Sequence, residues 1–382
     1  MQEDFLVKKI SQNIVEKELS SIGFDKDYLQ VAKNKYEHNL FKIFNLTPLQ
    51  ATILKQTALS CGTDCAVHRE VLTHNIDFSD VILSATNSQL KEIIKKLYVQ
   101  PFGLKILAKN LENIQNKSMK NNLFDWNKTY LMGILNCTPN SFSDGGEFFD
   151  KENALKRFEQ IIADDADIVD IGAESTAPNN VPIDVEEELS RLSLIFEQCR
   201  KSNYNIPISI DTRNSKTANK MLELGANIIN DVSGFIYDEK MANVVAKADA
   251  YAVLTFDDVI KNNAIDDTIK GLLKRVKNAT KAGVKEEKII LDVGLGFNKT
   301  FEQNIELIKR ANEVVSLGFP VLYGLSRKSF VQKLTNLSAK ETAEANISLG
   351  SYLAMQGVNI LRVHDVLEHK IAFRALDKVL YD

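Results

Sequence analysis

Lys328, Arg362 and His364 each stand at the end of a short aliphatic run, 320–323 or 360–363, late in the sequence. Three donors or cations carried by neighbouring segments make a compact anion site. Asn136 follows another such run, 130–135. Its amide can bind an anion or offer an oxygen to a divalent metal, and Mg2+ fits a site with few protein ligands, because it keeps water and phosphate oxygens around it. A second set, Asp211, Asn230 and Asp292, ends three further runs. Two carboxylates and an amide in one mouth suit a flat heterocycle with amino and ring N–H donors, since an unpaired buried carboxylate costs roughly 1–3 kcal/mol or more. Phe297 and the plane of Arg362 could stack on the two ring faces. The alternative for Asp211 and Asp292 is structural pairing with Arg213 and Lys328. Ser326 has Arg327 rather than a histidine beside it, and Cys137 has no basic neighbour in sequence. A covalent intermediate is therefore not expected. The residues favour positioning two substrates and stabilising a leaving anion such as diphosphate.

These residues need elements that bring them to one place. From about Tyr130 the chain repeats a strand, a loop and a helix. The apolar runs are 131–135, 168–171, 206–210, 227–229, 251–254, 289–291, 320–323 and 360–363. Helical spacing lies between them, for example over 217–224, 269–281, 305–317 and 343–355, with Gly225, Gly283 and Gly318 as stops. Eight such units predict an α/β protein built as a (β/α)8 TIM barrel. An open doubly wound sheet would show a glycine-rich phosphate fingerprint after its first strand, and Gly145-Gly146 does not match one. In a barrel the strand C-terminal ends share one face, and the chemistry-bearing residues stand at those ends: Asn136, Asp170 to Thr176, Asp211 to Arg213, Asn230-Asp231, Asp292 to Phe297, Gly324 to Ser329, and Arg362 to Asp365. The stretch 136–146, full of hydroxyls and amides with one carboxylate and two glycines, reads as a loop that closes over a charged small molecule.

The first third differs. Helical spacing at Phe5, Leu6, Ile10, Ile14 and Leu19, a helix from Thr47 with Pro48 in its first turn to a stop at Gly62, a strand at 81–83 and a helix over 89–99 predict a small α+β domain, 1–125, ahead of a barrel domain, 126–382. The Asn- and Lys-rich stretch 113–127 is the expected linker. Cys61, Cys65 and His68 lie close together, but no second half of a zinc site is evident, and buried thiols at a helix end are the preferred reading. The net charge of −4 implies no general affinity for nucleic acid or anionic membrane, and no run approaches membrane-span length. Four irregularly spaced cysteines fit reduced thiols, so a cytoplasmic protein is expected.

Seven motifs in order, Asn136-Cys-Thr-Pro-Asn-Ser-Phe-Ser-Asp-Gly-Gly146, Asp170-Ile-Gly-Ala-Glu-Ser-Thr176, Ser209-Ile-Asp-Thr212, Ile229-Asn-Asp-Val232, Leu291-Asp-Val-Gly-Leu-Gly-Phe297, Gly324-Leu-Ser-Arg-Lys-Ser-Phe330 and Arg362-Val-His-Asp365, resemble the dihydropteroate synthase family. The resemblance implies folate biosynthesis: 6-hydroxymethyl-7,8-dihydropterin diphosphate and 4-aminobenzoate give 7,8-dihydropteroate and diphosphate, the diphosphate leaving first. It implies that Asp211, Asn230, Asp292 and Lys328 hold the pterin between Phe297 and Arg362. Asn136, Arg362 and His364 would hold diphosphate, with Mg2+ at Asn136. Asp144, Lys328, Arg362 and His364 would be the catalytic set. Phe142, Ser175, Thr176, Pro178 and Ser329 would line the aminobenzoate pocket, and a homodimer would form through the last barrel helices. A methyltetrahydrofolate-binding methyltransferase and a non-catalytic pterin-binding protein are the alternatives. The chain departs from the family pattern at Asn140, usually Asp, and Ala177, usually Arg. It also departs at Val293, usually Pro, and at Leu254-Thr255-Phe256-Asp257, where Met-His is common.

Overall fold

The structure, a computed structural model, describes residues 7–73, 75–116, 119, 121–137, 147–173, 183–201 and 205–381. The chain divides into two compact units, Met1–Lys117 and Ser118–Asp382. The first holds an antiparallel three-stranded sheet of order β1-β3-β2, with β1 His38–Leu46, β2 Cys65–Ala66 and β3 Ser79–Thr86. Helices Pro48–Ser60 and Asn87–Leu97 each begin with a capping box, Thr47 with Gln50 and Thr86 with Gln89. The expected strand at 81–83 extends over all of β3, and β1 was not foreseen. Cys65 is buried in β2, Cys61 caps the helix ending at Ser60, and His68 caps the short turn Arg69–Val71 through its Nδ1, which accepts the Glu70 N–H at 3.2 Å. Among the described residues no group of three or more His, Cys, Asp or Glu side chains could hold a metal ion.

The second unit is a closed barrel of parallel strands: β4 Tyr130–Asn136, β5 Ile168–Gly172, β6 Ile208–Asp211, β7 Ile228–Asp231, β8 Tyr251–Thr255, β9 Ile289–Asp292, β10 Val321–Gly324 and β11 Ile360–Val363. β11 pairs with β4 to close the ring. Helices alternate with the strands, and a large apolar layer lies between the two. The expected helix over 305–317 is two helices, Phe301–Lys309 and Ala311–Val315, broken at Arg310, whose guanidinium bonds Glu306 and Glu313 on either side. Among the described residues no helix is long and apolar enough to cross a membrane.

Alternation along each strand sorts the barrel interior into layers. Met132, Ile168, Ile228, Val253, Ile290, Leu322 and Ile360 fill the lower interior. Two residues further along the same strands come Ile134, Asp170, Asn230, Thr255, Asp292, Gly324 and Arg362. The interior therefore turns from apolar to polar within one two-residue step. The N-terminal end is plugged by residues sequence reasoning assigned to a linker. Phe124 stacks on Tyr130 with centroids 4.0 Å apart, and Trp126 meets both edge-on at 5.5 and 5.4 Å. Trp126 Nε1 donates to the Asn121 carbonyl at 2.7 Å, and Tyr251 donates its hydroxyl to Asn122 Oδ1 at 2.6 Å. Aromatic content in a stretch read mainly for its Asn and Lys was the missed signal.

A chain beginning at Ser118 should therefore keep the barrel's stability, whereas one beginning at Trp126 loses Asn121, Leu123 and Phe124 from the plug. The shorter chain should be less stable by about 1–3 kcal/mol, a Tm lower by roughly 2–10 °C. Equal melting of the two in calorimetry would show that the plug contributes nothing.

Candidate active site

Asp170, Asp211 and Arg362 meet inside the barrel mouth. Arg362 Nε donates to Asp170 Oδ2 at 2.7 Å, and its Nη2 donates to Asp211 Oδ2 at 2.7 Å. Asp170 is fully buried and Asp211 nearly so. Asn230 Nδ2 donates to the same Asp170 oxygen at 3.1 Å, which turns Asn230 Oδ1 the other way. That oxygen, Asp170 Oδ1, Ser209 Oγ and Thr255 Oγ1 are buried without a hydrogen-bond partner. Two acceptor oxygens and two hydroxyls of this kind in a barrel interior can bond a ligand or ordered water. Burial pushes the Asp211 carboxyl up to about 7; Arg362 pulls against that, while Asp170 and Asp231 add to it. Burial alone would lower the guanidinium of Arg362, but the carboxylates of Asp170 and Asp211 override it and hold it well above its ordinary value. The ion pair at Asp211 is with Arg362, and Arg213 lies over the Tyr237 ring at 4.5 Å. Asp170, at a strand end but unassigned by sequence reasoning, is the centre of the cluster.

Asp292 ends β9, and its Oδ1 accepts the Gly294 N–H at 2.9 Å. Burial raises its carboxyl above the usual range, with that N–H and Lys328 opposing. Gly294 sits at φ +68°, where a Cβ would lie 2.2 Å from the Phe256 carbonyl, so only glycine permits this close crossing. The loop carries Phe297, and Lys328 Nζ lies over its ring, 4.2 Å from the centroid. Burial, helped by Arg362, lowers the Lys328 ammonium to about 8 against the pull of Asp292 and Asp211. Two side chains not foreseen from sequence pin this loop. Asn304 Oδ1 accepts the Gly296 N–H at 2.7 Å, and Lys299 Nζ donates to the carbonyls of Phe256 and Phe297 at 2.7 and 3.1 Å. The altered segment after β8 packs behind the site. Phe256 is buried with Arg275 and Lys299 over its ring at 5.1 and 5.0 Å, and it presses on Gly271 of helix Ala264–Lys281.

His364 Nδ1 lies 2.9 Å from Ser326 Oγ, which also accepts the His364 backbone N–H at 3.3 Å. The fold thus gives Ser326 the histidine that its sequence neighbours lack. Ser326 Oγ accepts that N–H, and toward Nδ1 it can donate or accept, according to the tautomer of the ring. Burial, then Arg327, Arg362 and Arg157, lowers His364 to about 3, so it is neutral and is a poor match for an activating base that must cycle near neutral pH. Arg157 donates to the His364 carbonyl, and Arg327, at φ +61°, pairs with Asp365 at 3.2 Å. Asn136 ends β4, and β4 pairs with β11, which carries Arg362. Among the described residues its amide has no hydrogen bond, leaving a single hard oxygen ligand. That donor set suits a cation completed by phosphate oxygens and water, as Mg2+ is. Ser329 is exposed at the first turn of helix Ser329–Thr335. Phe142, Asp144, Ser175, Thr176 and Pro178 lie outside the described residues.

A model of the family described as "Pterin binding enzyme" matches residues 132–364. The chain is 41% identical over 256 residues to the dihydropteroate synthase of Clostridium beijerinckii, a match covering 66% of this chain and 95% of that one. It is 37% identical over 342 residues to a probable bifunctional folylpolyglutamate synthase/dihydropteroate synthase of Halobacterium salinarum, covering 86% of this chain and 41% of that longer protein. Among solved structures, dihydropteroate synthase from Clostridium difficile, determined in the presence of pteroic acid, superposes with a TM-score of 0.66 at 39% identity, covering 68% of this chain and all of that one.

Asp292 is a buried carboxylate whose surroundings disfavour its charge, so at neutral pH it costs the folded state. Asp292→Asn keeps an oxygen for the Gly294 N–H and removes the charge. It should raise stability by roughly 0.5–2 kcal/mol, the trade expected of a residue kept for binding. A Tm that falls in the variant would mean Asp292 serves structure instead.

Proposed function

The chain belongs to the dihydropteroate synthase family of pterin-binding enzymes, and we propose that its barrel mouth joins 6-hydroxymethyl-7,8-dihydropterin diphosphate to 4-aminobenzoate, the transferase step of folate biosynthesis. The observation that carries the residue assignment is the convergence of Asp211, Asn230, Asp292, Lys328 and Arg362 on one mouth with the Asn230 oxygen unpaired. Asp211, Asn230 Oδ1 and Asp292 present acceptors to the amino and ring N–H edge of the pterin. Lys328 supplies a donor, and Phe297 an aromatic face. Arg362, the imidazole of His364 and the amide of Asn136 receive the diphosphate. As that group departs, positive charge develops on the ring, and the carboxylates of Asp211 and Asp292 stabilise it in a site shielded from water. Bound Mg2+, with Asn136 as its protein ligand, would neutralise charge on the departing diphosphate. Asp144 and the pocket residues Phe142, Ser175, Thr176, Pro178 and Ser329 complete the aminobenzoate side in this reading.

We read the protein as cytoplasmic, a compartment its four free thiols support. We also read it as a homodimer. Tyr352 and Met355 on helix Ala343–Met355, and Leu367 and Ile371 on helix Val366–Tyr381, are large apolar side chains facing outward, Ile371 at 62% exposure. Such side chains on two neighbouring helices suit a two-fold interface. Sedimentation should find a dimer that Ile371→Asp shifts to monomer; a monomeric parent protein would reject the reading.

Purified protein with Mg2+, the pterin diphosphate and labelled 4-aminobenzoate should yield labelled dihydropteroate, and its absence would reject the activity. Its kcat/KM for the pterin diphosphate should be bell-shaped. Below about 7 Asp211 is protonated and loses an acceptor. Above about 8 Lys328 is neutral and loses its charge. Lys328→Arg should remove the alkaline limb and keep the acid one, and an alkaline limb that persists in that variant would exclude Lys328 as its origin.

A further inference from the structure

The cavity bounded by Asn230, Asp292, Phe297, Lys328 and Arg362 measures about 20 Å³, room for about one water molecule. The guanidinium of Arg362 forms part of that cavity's wall, so a ring that pairs with Asp211 must move it. The Phe297 loop is pinned by Asn304 and Lys299, and Asn230 by Asp170. Arg362 is the long side chain whose contacts are those the ring would replace. Its guanidinium, a planar N–C–N donor edge, occupies Asp211 Oδ2 at 2.7 Å, where the amino and ring N–H edge of a pterin would bond. It is held there from below by Asp170, at 2.7 Å.

We propose that Arg362 is a latch that makes the site select the diphosphorylated pterin over the bare ring. Resting on the pterin reading of this site, the inference concerns which of its ligands can open it. A bare ring must displace the guanidinium from Asp211 and leave it with Asp170 but without its second buried counter-charge, an unfavourable exchange. A ligand carrying an anion gives the guanidinium a new partner at the mouth, beside His364 and Asn136, as the ring takes its place on Asp211. Ring and anion are thereby coupled, and linkage requires each to tighten the other by the same factor. Asp170 acts through Arg362 and is a positioning residue. Asp170→Asn keeps an oxygen for Asn230 Nδ2 but removes the charge that holds the latch.

Calorimetry with 6-hydroxymethyl-7,8-dihydropterin, alone and with saturating inorganic diphosphate and Mg2+, tests this on the full chain. In the wild type, diphosphate should tighten ring binding by about tenfold or more, within the usual range of coupling. In Asp170→Asn and in Arg362→Met the bare ring should bind more tightly than in the wild type, and the effect of diphosphate should shrink to less than about threefold. Arg362→Met should also weaken the pterin diphosphate itself, a loss that a merely loosened core would not pair with a gain for the bare ring. A wild type that binds both ligands without coupling, or variants that leave bare-ring affinity unchanged, would overturn the latch and leave the pterin reading standing. A wild type that binds neither ligand would overturn both. Arg362→Met lacks the latch outright, so it decides the matter even if Asp170→Asn does not fold.

Discussion

The mouth of this barrel depends on keeping a guanidinium and several carboxylates charged where little water reaches them. Each alone would carry a desolvation penalty of several kcal/mol. Arg362 between Asp170 and Asp211 answers the problem, meeting each carboxylate at 2.7 Å. Asn230 and Lys328 take their settings from the same group of charges. The amide is oriented by Asp170, and the ammonium, lowered to about 8, sits between the guanidinium that repels it and the carboxylates that hold it. A binding site built this way is pre-charged, and a ligand enters by exchanging partners within the ring of charges.

Strand geometry makes such a cluster possible. On β5, β7, β9 and β11, Ile168, Ile228, Ile290 and Ile360 occupy the lower interior, and Asp170, Asn230, Asp292 and Arg362 stand one pleat higher. The isoleucines give the barrel its dry core, and the polar residues lie at the end where the loops can cover them. Below, the Phe124, Trp126 and Tyr130 cluster closes the barrel's other end, so polar groups meet solvent or ligand only from above.

Much of this was legible in sequence, because short aliphatic runs ending in polar residues predict both the strands and the face those residues share. The (β/α)8 barrel followed from eight such runs, and Asp211, Asn230, Asp292, Lys328 and Arg362 followed from the strand-end rule. What sequence could not supply was rotamer and partner. Arg362 was assigned by its place at a strand end, and its two contacts with Asp170 and Asp211 cross the barrel interior to strands far away in sequence. Asp170 was placed at a strand end but given no role, because its partner Arg362 comes from a strand 192 residues later. The Ser326–His364 contact joins residues 38 positions apart and depends on the β10–β11 pairing. The plug was taken for a linker because its aromatic residues are too few to show a period.

The same parity explains which departures from the family pattern this fold absorbs. Thr255 points into the barrel and Phe256, the next residue, points out into the helix layer; likewise Asp292 points in and Val293 out. Phe256 and Val293, both unusual for the family, are buried in the outer apolar layer, where a residue of suitable volume suffices. Thr255 is the inward-facing exception, and it adds an unpartnered hydroxyl to the polar layer beside Asp292, its register partner. Substitution on the outward face changes packing against a helix. On the inward face it changes which atoms a ligand meets, so the four inward residues that read as expected, Asp211, Asn230, Asp292 and Arg362, weigh more for function than the outward ones that do not.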